Sequence, residues 1–271
     1  MGDAGAQQRD RRRSVGGERR LVLLGDHDRM ELEWMELEWI EVPAGRVLRG
    51  TPVDEVEAVV LRHRDYGLPR SYFAKEAPRS EVDVPGFLIA RTPVTVGQWN
   101  AFCEGVGWAL VARDDRLPID GLAWWQAHAF CEWATEQTGH DIRLPTEDEW
   151  ERAARGDEAR EYPWGDAFDP RRANLIELGL GHALPVGSLP LGASPFALLD
   201  MAGNVDEWTS TEYYPYPGAP DDVPLVEAQA FDRHITRGGG FVHFRDLARC
   251  ARRHGIYAPG GGAGFRLAAS S

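Results

Sequence analysis

The stretch Phe196-Ala-Leu-Leu-Asp200-Met-Ala-Gly203-Asn204-Val-Asp206-Glu207-Trp208 decides the fold of this chain. Two carboxylates, Asp200 and Glu207, stand seven residues apart around a Gly-Asn turn, and the apolar residues on both sides are suited to holding that turn in place. A tight turn exposes backbone carbonyls, and carbonyl and carboxylate oxygens are the ligands that calcium prefers. The stretch therefore predicts a calcium-binding turn. The plainer alternative is an acidic loop whose carboxylates are solvated or cap neighbouring amides.

Two further motifs flank this stretch. Arg143-Leu-Pro-Thr-Glu-Asp-Glu-Trp150 lies upstream, and Gly262-Ala-Gly-Phe-Arg266-Leu lies downstream. In this order the three motifs resemble the formylglycine-generating-enzyme family, also called the sulfatase-modifying-factor family. The resemblance covers about residues 39–268. It implies an α+β fold, namely the family's variant of the C-type lectin fold, which is poor in regular secondary structure.

The composition limits the class of protein. The chain has 271 residues, of which 30 are glycine, 18 are proline and 10 are tryptophan, which favours a turn-rich domain with aromatic packing. The net charge of −13 argues against nucleic acid as a partner, because a nucleic-acid-binding surface is basic. No apolar run reaches the length of a membrane span, so we expect no membrane partner. The cytoplasm is the default location.

The sequence predicts one family domain over residues 39–271, preceded by a basic tail and a short duplicated segment in residues 1–38. Residues 1–20 carry six arginines and almost no large apolar residue, which predicts disorder. A nucleic-acid-binding arm is the sharper alternative for this tail. The duplicated segment is Met30-Glu-Leu-Glu-Trp34 followed by Met35-Glu-Leu-Glu-Trp39, and its alternation favours a short strand.

Capping signals and periodicity predict three helices. Thr95 opens a capping box and a helix that ends near Gly105, and Thr146 opens another that ends at Gly156. A helix between them covers about residues 122–138. One apolar stripe runs along it at helical spacing. The stripe consists of Ala127, Phe130, Cys131 and Ala134. Strands are expected near the domain start at Trp39 and over residues 82–90, and residues 51–80 are predicted to form a surface excursion.

The family resemblance implies a specific set of calcium ligands. Carried over position by position, they are the side chains of Asp200 and Glu207 and the carbonyls of Gly203 and Val205. Asp206 departs from the family, which usually has a second tryptophan there. The aspartate adds charge beside the site and removes a packing ring.

A second calcium site of the family is expected to be lost. Asn174 and the carbonyl of Leu175 match its first half. The position expected to supply an aspartate is Leu178, and leucine has no coordinating atom. Glu177 is adjacent but would point elsewhere.

The segment from Arg237 to His254 bears on activity. Family members that generate formylglycine bind copper(I) there through two cysteines and oxidise a substrate cysteine with oxygen. In this chain His243 stands at the first cysteine position, and no cysteine occurs before Cys250, whose Arg-Cys-Ala context matches a packing position of the family. The copper pair is therefore expected to be absent. The remaining candidates for chemistry are His243, His254 and Cys250.

Arginines in the same segment predict a ligand-binding rim around a pocket. They are Arg245, Arg249, Arg252 and Arg253. Guanidinium groups suit planar anions, so the rim favours a small anionic molecule or an acidic peptide segment. The plainer alternative is structural ion pairing within an acidic domain.

The sequence leaves three hypotheses for function. The leading one is a calcium-stabilised family member that has lost the copper cysteines and binds a small molecule or a protein segment. The second is a metal-dependent oxidative enzyme that holds iron or copper through His243 and its neighbours. The third is a binding protein diversified by a retroelement, because variable proteins of that class share the fold and end in a similar Gly-Phe-Arg-Leu segment.

Overall fold

The computed structural model describes residues 37–223, 233–254 and 262–270. The basic tail and most of the duplicated segment lie outside this range. The strands are β1 (Trp39–Val42), β2 (Gly45–Arg49), β3 (Ser80–Val84), β4 (Phe87–Ala90), β5 (Ile142–Arg143), β6 (Glu207–Glu212), β7 (His234–Arg237), β8 (Gly264–Phe265) and β9 (Ala268–Ser270). The helices are α1 (Val56–Arg62), α2 (Arg70–Ala74), α3 (Val96–Val106), α4 (Trp124–Thr138) and α5 (Glu147–Arg155). This mixture of short helices and strands confirms the α+β prediction.

The strands form three small sheets. β1, β4, β9 and β5 lie side by side in that order, and neighbours are antiparallel. β2 pairs antiparallel with β3. In the third sheet the central strand β6 is antiparallel to β7 and parallel to β8. β6 begins at Glu207, so the motif that decides the fold runs directly into the middle of this sheet.

The predicted capping boxes are present on α3 and α5. The Thr95 hydroxyl accepts a hydrogen bond from the Gln98 backbone N–H, and the Gln98 side chain accepts one from the Thr95 N–H. Thr146 and Glu149 make the same reciprocal pair. Each box satisfies two backbone donors that a helix start leaves unpaired, so both helices begin where the sequence predicts.

Two hydrophobic clusters lie behind the sheets. The stripe predicted on α4 is buried in the larger cluster, where its Phe130 contacts Trp99 and Phe265. Trp150 of α5 lies in the second cluster with Cys250. Trp150 is fully buried and anchors α5 beneath β6 and β7.

The prediction of a surface excursion over residues 51–80 is wrong. α1 and α2 enclose a small core of their own, in which Val56 and Val59 pack with Phe73. Val56 and Val59 stand three residues apart, so both face the same side of α1. The excursion also carries Glu76 into the interior, where its side chain is fully buried. This segment is therefore an integral part of the domain.

No helix in the described ranges combines the length and the apolar character that crossing a bilayer requires.

Candidate functional site

The acidic turn, residues 200–207, is held by unusual backbone conformations and by one amide side chain. Asp200, Gly203 and Asn204 have positive φ angles of 56°, 75° and 67°. At Gly203 an added Cβ would lie 2.6 Å from the carbonyl oxygen of Asn174, so only glycine fits there. The Asn204 side chain bonds to the backbone of Leu184 through both its oxygen and its nitrogen. The turn is thereby fixed against a neighbouring loop.

Glu207 lies at the end of this turn with its carboxylate fully buried. Arg266 donates to both oxygens, from Nη2 to Oε1 at 2.6 Å and from Nε to Oε2 at 2.6 Å. The indole Nε1 of Trp150 donates to Oε2 at 2.7 Å. Trp150, Glu207 and Arg266 come from the three different sequence motifs, so this group of hydrogen bonds joins all three motifs.

Asp200 lies at the start of the turn, and its Oδ2 accepts a hydrogen bond from the Gly187 N–H at 2.6 Å. Burial raises the pKa of Asp200 to about 6, and the nearby Glu207 charge adds to the shift. Nothing in the described ranges donates a hydrogen bond to the carbonyl oxygens of Gly203 and Val205, although both residues are buried. The unpaired carbonyls and the Asp200 carboxylate match the donor types that calcium takes. Glu207 would have to bind the ion while its two oxygens accept hydrogen bonds from Arg266 and Trp150.

The residues that correspond to the second calcium site, which the sequence predicts to be lost, are Asn174, Leu175 and Leu178. The side-chain oxygen of Asn174 is buried and has no hydrogen-bond partner. The carbonyl of Leu175 already accepts the N–H of Leu178 in a single turn of 3₁₀ helix, and Leu178 supplies no oxygen ligand. Glu177 points away and accepts hydrogen bonds from the Tyr66 hydroxyl and the Arg245 N–H.

Asp206 is the centre of a hydrogen-bond network that the sequence did not predict. Its carboxylate accepts from the Gly239 N–H at 3.2 Å, from the Thr236 hydroxyl at 2.9 Å and bonds to Nδ1 of His254 at 2.7 Å. The signal was present in the sequence, because Asp206 replaces the usual tryptophan of the family and His254 offers a partner. The network connects the acidic turn to β7 and to the segment that follows it.

His243 lies next to this network in a cleft that we call the histidine cleft. The cavity has a volume of about 250 Å³, and its lining residues include Gly240, Gly264, Asp120 and Asp206. The Gly240 N–H donates to Nδ1 of His243 at 2.9 Å. Burial lowers the pKa of His243, so the ring is neutral near pH 7 and carries its proton on Nε2.

The two predicted histidines are neighbours. The rings of His243 and His254 meet edge to face with 5.3 Å between their centroids. The described residues contain no group of three or more His, Cys, Asp or Glu side chains arranged to hold a metal ion. The acidic turn is not such a group, because its predicted ligands are two carboxylates and two backbone carbonyls.

Cys250 does not line the histidine cleft, so it is not a candidate catalytic residue there. It is fully buried in the core beside Trp150, and burial raises the pKa of its thiol to about 12. A buried thiol of this kind is not a nucleophile at neutral pH. The other two cysteines of the chain, Cys103 and Cys131, are also buried and free.

Three of the four arginines predicted on the rim lie in the interior, which corrects the rim prediction for them. Arg249 is held between Glu76 at 2.7 Å and Glu161 at 2.5 Å. Arg252 pairs with Asp246, and Arg253 pairs with Glu147. Their guanidinium groups satisfy buried carboxylates, so the plainer alternative of structural ion pairing applies to these three. Arg245 is part-exposed and lies in a separate cavity.

Comparison with known proteins identifies the family. A family model described as the sulfatase-modifying factor enzyme 1-like domain matches residues 29–271. Because this match covers most of the chain, the chain belongs to the sulfatase-modifying factor family.

Relatives of known name fall in the same family. The chain is similar to hercynine oxygenase of Mycolicibacterium thermoresistibile, with 33% identity over 230 residues, which covers 66% of this chain and 49% of that protein. It is also similar to the formylglycine-generating enzyme of Mycobacterium tuberculosis, with 30% identity over 237 residues, which covers 61% of this chain and 79% of that protein. The chain therefore spans about half the length of the hercynine oxygenases that it matches.

Solved structures agree in fold. The structure of PvdO from Pseudomonas aeruginosa superposes with a TM-score of 0.66 at 24% identity and covers 87% of this chain and 95% of that one. Treponema denticola variable protein 1 superposes with a TM-score of 0.63 at 19% identity and covers 86% and 95%. At these identities the likeness extends to the fold alone.

Proposed function

We propose that this protein is a calcium-stabilised member of the family that does not oxidise cysteine and that binds a small molecule or a protein segment in the histidine cleft. The observation that carries the proposal is the hydrogen bond from the Gly240 N–H to Nδ1 of His243. It leaves Nε2–H as a donor on a neutral, part-buried ring in a cavity of about 250 Å³. A neutral donor in a cleft suits recognition of a carbonyl or another hydrogen-bond acceptor.

The described lining of the cleft contains no arginine or lysine, which favours a neutral ligand. Its two acidic residues are already engaged, because Asp120 pairs with Arg113 at 2.8 Å and Asp206 bonds to Thr236 and His254. Arg249, Arg252 and Arg253 are likewise committed to buried carboxylates. The anionic ligand expected from the sequence therefore does not suit this cleft. The glycines that line the cleft, among them the exposed Gly121, leave room for an extended peptide segment, which would accept the Nε2–H of His243.

In this proposal calcium stabilises the fold and takes no part in ligand binding in the histidine cleft. Asp200, Gly203, Val205 and Glu207 would hold the ion at the acidic turn, where the unpaired carbonyls support its placement. The ion would fix the turn that leads into Asp206, one wall of the cleft. Binding to the native state alone adds stability by mass action.

The test of the cleft is a screen of short peptides and polar fragments read at the His243 ring. We expect ligands that move the ¹⁵N signals of the His243 imidazole and lose affinity in His243→Gln. His128→Gln is the matched control, because His128 is an exposed histidine on α4 that lies outside the cleft and contacts Glu132 and Trp124. Ligands that bind equally well to His243→Gln would exclude the cleft as the binding site.

The same protein should fail to make formylglycine. Copper-loaded protein incubated with oxygen, reductant and a cysteine-containing sulfatase-type peptide should leave the peptide mass unchanged. Aldehyde formation that disappears in Cys250→Ser would contradict the proposal and would require the buried Cys250 to become accessible.

A metal-dependent oxidative enzyme is the second candidate function. The contact that favours it is the bond of 2.7 Å between Nδ1 of His254 and Asp206, because metal-ligating histidines commonly donate their other N–H to a carboxylate. The similarity to a hercynine oxygenase favours the same class. His243 is a weaker ligand, since its Nδ1 lone pair is used by Gly240 and its Nε2 carries the proton.

Metal analysis separates the two candidates. The binding protein should purify with calcium and without stoichiometric iron or copper. Stoichiometric iron that is retained in His128→Gln and lost in His254→Phe would establish the oxidative candidate instead.

A further inference from the structure

A second cavity lies apart from the histidine cleft, between the excursion of residues 51–80 and the loop that contains Tyr162. We call it the arginine cavity. It has a volume of about 560 Å³, which is enough for a small organic ligand. Arg62, His63, Arg79, Tyr162, Phe168 and Arg245 are among its lining residues. None of the residues assigned to the histidine cleft lines this cavity.

We propose that the arginine cavity binds a small carboxylate, and that Arg245, Arg79 and His63 recognise it. The proposal goes beyond the function assigned to the histidine cleft and does not depend on it. Three observations support it: the positions of the two arginines, the state of His63, and the charge of the remaining wall.

The charge of Arg62 is already compensated, but the charges of Arg79 and Arg245 are not. Arg62 donates to Glu161 at 3.3 Å, and Glu161 is also held by Arg249. Within the described ranges, by contrast, Arg79 and Arg245 have only backbone carbonyls as hydrogen-bond partners for their side chains. Arg79 donates to the Gly50 carbonyl and Arg245 to the Arg62 carbonyl, both at 3.3 Å. Both guanidinium groups retain donors for a planar anion.

Arg245 is also held in position by rings. Its guanidinium carbon lies 5.4 Å from the centroid of Tyr66 and 5.7 Å from that of Phe168. Tyr66 in turn stacks on Phe244 with 4.3 Å between centroids. A guanidinium held by aromatic contacts loses less conformational freedom when it binds a ligand.

His63 supplies the independent observation. His63 lines the cavity but is only 2% exposed. Its Nδ1 atom is buried and has no hydrogen-bond partner. Burial and the nearby Arg249 lower the pKa of His63 to about 3, so the ring is neutral. A buried polar atom without a partner costs stability unless a ligand or water satisfies it. Phenylalanine at this position would stack on Phe73, as the imidazole does, without that cost.

The rest of the wall selects the class of anion. Glu55 and Asp166 also line the cavity, and neither has an arginine partner in the described part of the chain. Two nearby carboxylates repel a dianion more strongly than a monoanion. Phe168 and Tyr162 add ring surface. A singly charged carboxylate on an apolar or aromatic body therefore fits better than a phosphate.

Benzoate is the probe for the test, with inorganic phosphate and the neutral isostere benzamide as comparison ligands. The full-length protein is titrated by calorimetry and by NMR of the arginine Nε–H signals. We expect benzoate to bind more tightly than phosphate and benzamide to give no measurable binding. Arg245→Gln should weaken benzoate binding about tenfold, which corresponds to about 1.4 kcal/mol. Arg171→Gln is the matched control, because that arginine is 82% exposed and pairs with Asp169 outside the cavity.

His63→Phe gives a second reading that does not depend on charge. It should weaken benzoate binding while the melting temperature stays the same or rises, because the buried unpaired nitrogen is removed. The proposal is overturned if benzoate gives no signal at about 10 mM, well above a ~1 mM affinity. It is also overturned if Arg245→Gln binds benzoate as the wild type does, or if phosphate binds more tightly. His243→Gln should bind benzoate normally, so failure of one site does not imply failure of the other.

Discussion

Arg266 and Glu207 form a buried two-point ion pair, with both bonds at 2.6 Å. Arg266 comes from the last motif of the chain and Glu207 from the central one, so the pair joins segments that are 59 residues apart. The same guanidinium donates to the carbonyls of Ala90 and Leu199. It thus connects β4, the acidic turn and the segment between β8 and β9 at one point.

Removing Arg266 alone should be severe. In chelator, Arg266→Met leaves the Glu207 carboxylate buried without its counter-charge, and we expect a loss of about 3–5 kcal/mol in the free energy of unfolding. Arg266→Met combined with Glu207→Gln should recover part of this loss, because the uncompensated charge is removed. Urea unfolding followed by circular dichroism measures both. A single variant as stable as the double variant would show that the charge of Glu207 is satisfied elsewhere.

Calcium should stabilise the wild type and leave Asp200→Ala nearly unaffected, because alanine has no oxygen ligand. At a calcium concentration 100 times the dissociation constant, the wild type should gain about 2.7 kcal/mol. Asp200→Ala is a sharper probe than a change at Glu207, whose loss disturbs the contact with Arg266 regardless of calcium. Melting curves in calcium and in chelator measure the gain, and Asp221→Asn on the surface is the control. An unchanged wild-type curve in chelator would disprove the site.

The pH dependence of stability without calcium should report Asp200. Its pKa is raised to about 6 in the folded state from an ordinary value of 3.8, so the folded protein binds more protons between these values. Stability should therefore fall as pH rises through about 4 to 6, by about 3 kcal/mol from this group. Asp200→Asn should flatten this part of the profile. The measurement is urea unfolding in chelator at several pH values, with the two proteins compared at each pH.

The ring of His243 should be neutral and protonated on Nε2 at pH 7. Burial lowers its pKa, and Nδ1 is occupied by the Gly240 N–H. Long-range ¹H–¹⁵N NMR distinguishes the two tautomers and follows the titration. A ring protonated on Nδ1 would contradict the hydrogen bond and would make Nε2 available as a metal ligand.

Substitution of the arginines should separate the interior ones from Arg245. Arg249→Met should destabilise the fold strongly, because it leaves the fully buried Glu76 without its cation. Arg245→Gln should change stability little, since that side chain has no carboxylate partner in the described ranges. Thermal unfolding of the two variants tests this difference. Equal and large losses would place Arg245 among the structural arginines.

Local features of the fold could be predicted from the sequence because they depend on short spacings. The capping boxes at Thr95 and Thr146 and the buried stripe of α4 require only neighbours three or four residues apart. The turn at Asp200 and Glu207 is predicted as a calcium site because its residues match a known family.

Long-range partners could not be predicted in the same way. Arg249 and Glu76 are 173 residues apart, and a charged sequence gives no indication of which acid meets which arginine. Arginines on the rim of a pocket and arginines in an ion-paired interior give the same sequence pattern. The prediction of a rim position is therefore wrong for Arg252 and Arg253, which lie in the interior. Residues 51–80 contain few apolar side chains, and for that reason the sequence predicts a surface excursion. Those few side chains nevertheless suffice for a small core of their own.

The bond between Arg249 and Glu76 also limits how the domain can be altered. Arg253 reaches the same excursion through the carbonyl of Lys75. A deletion within residues 51–80 would leave buried arginines without their partners. The arginines after β7 would therefore have to be exchanged in the same step. Residues 51–80 and the segment after β7 therefore form a single exchangeable unit. A chimera between relatives should take both from the same parent.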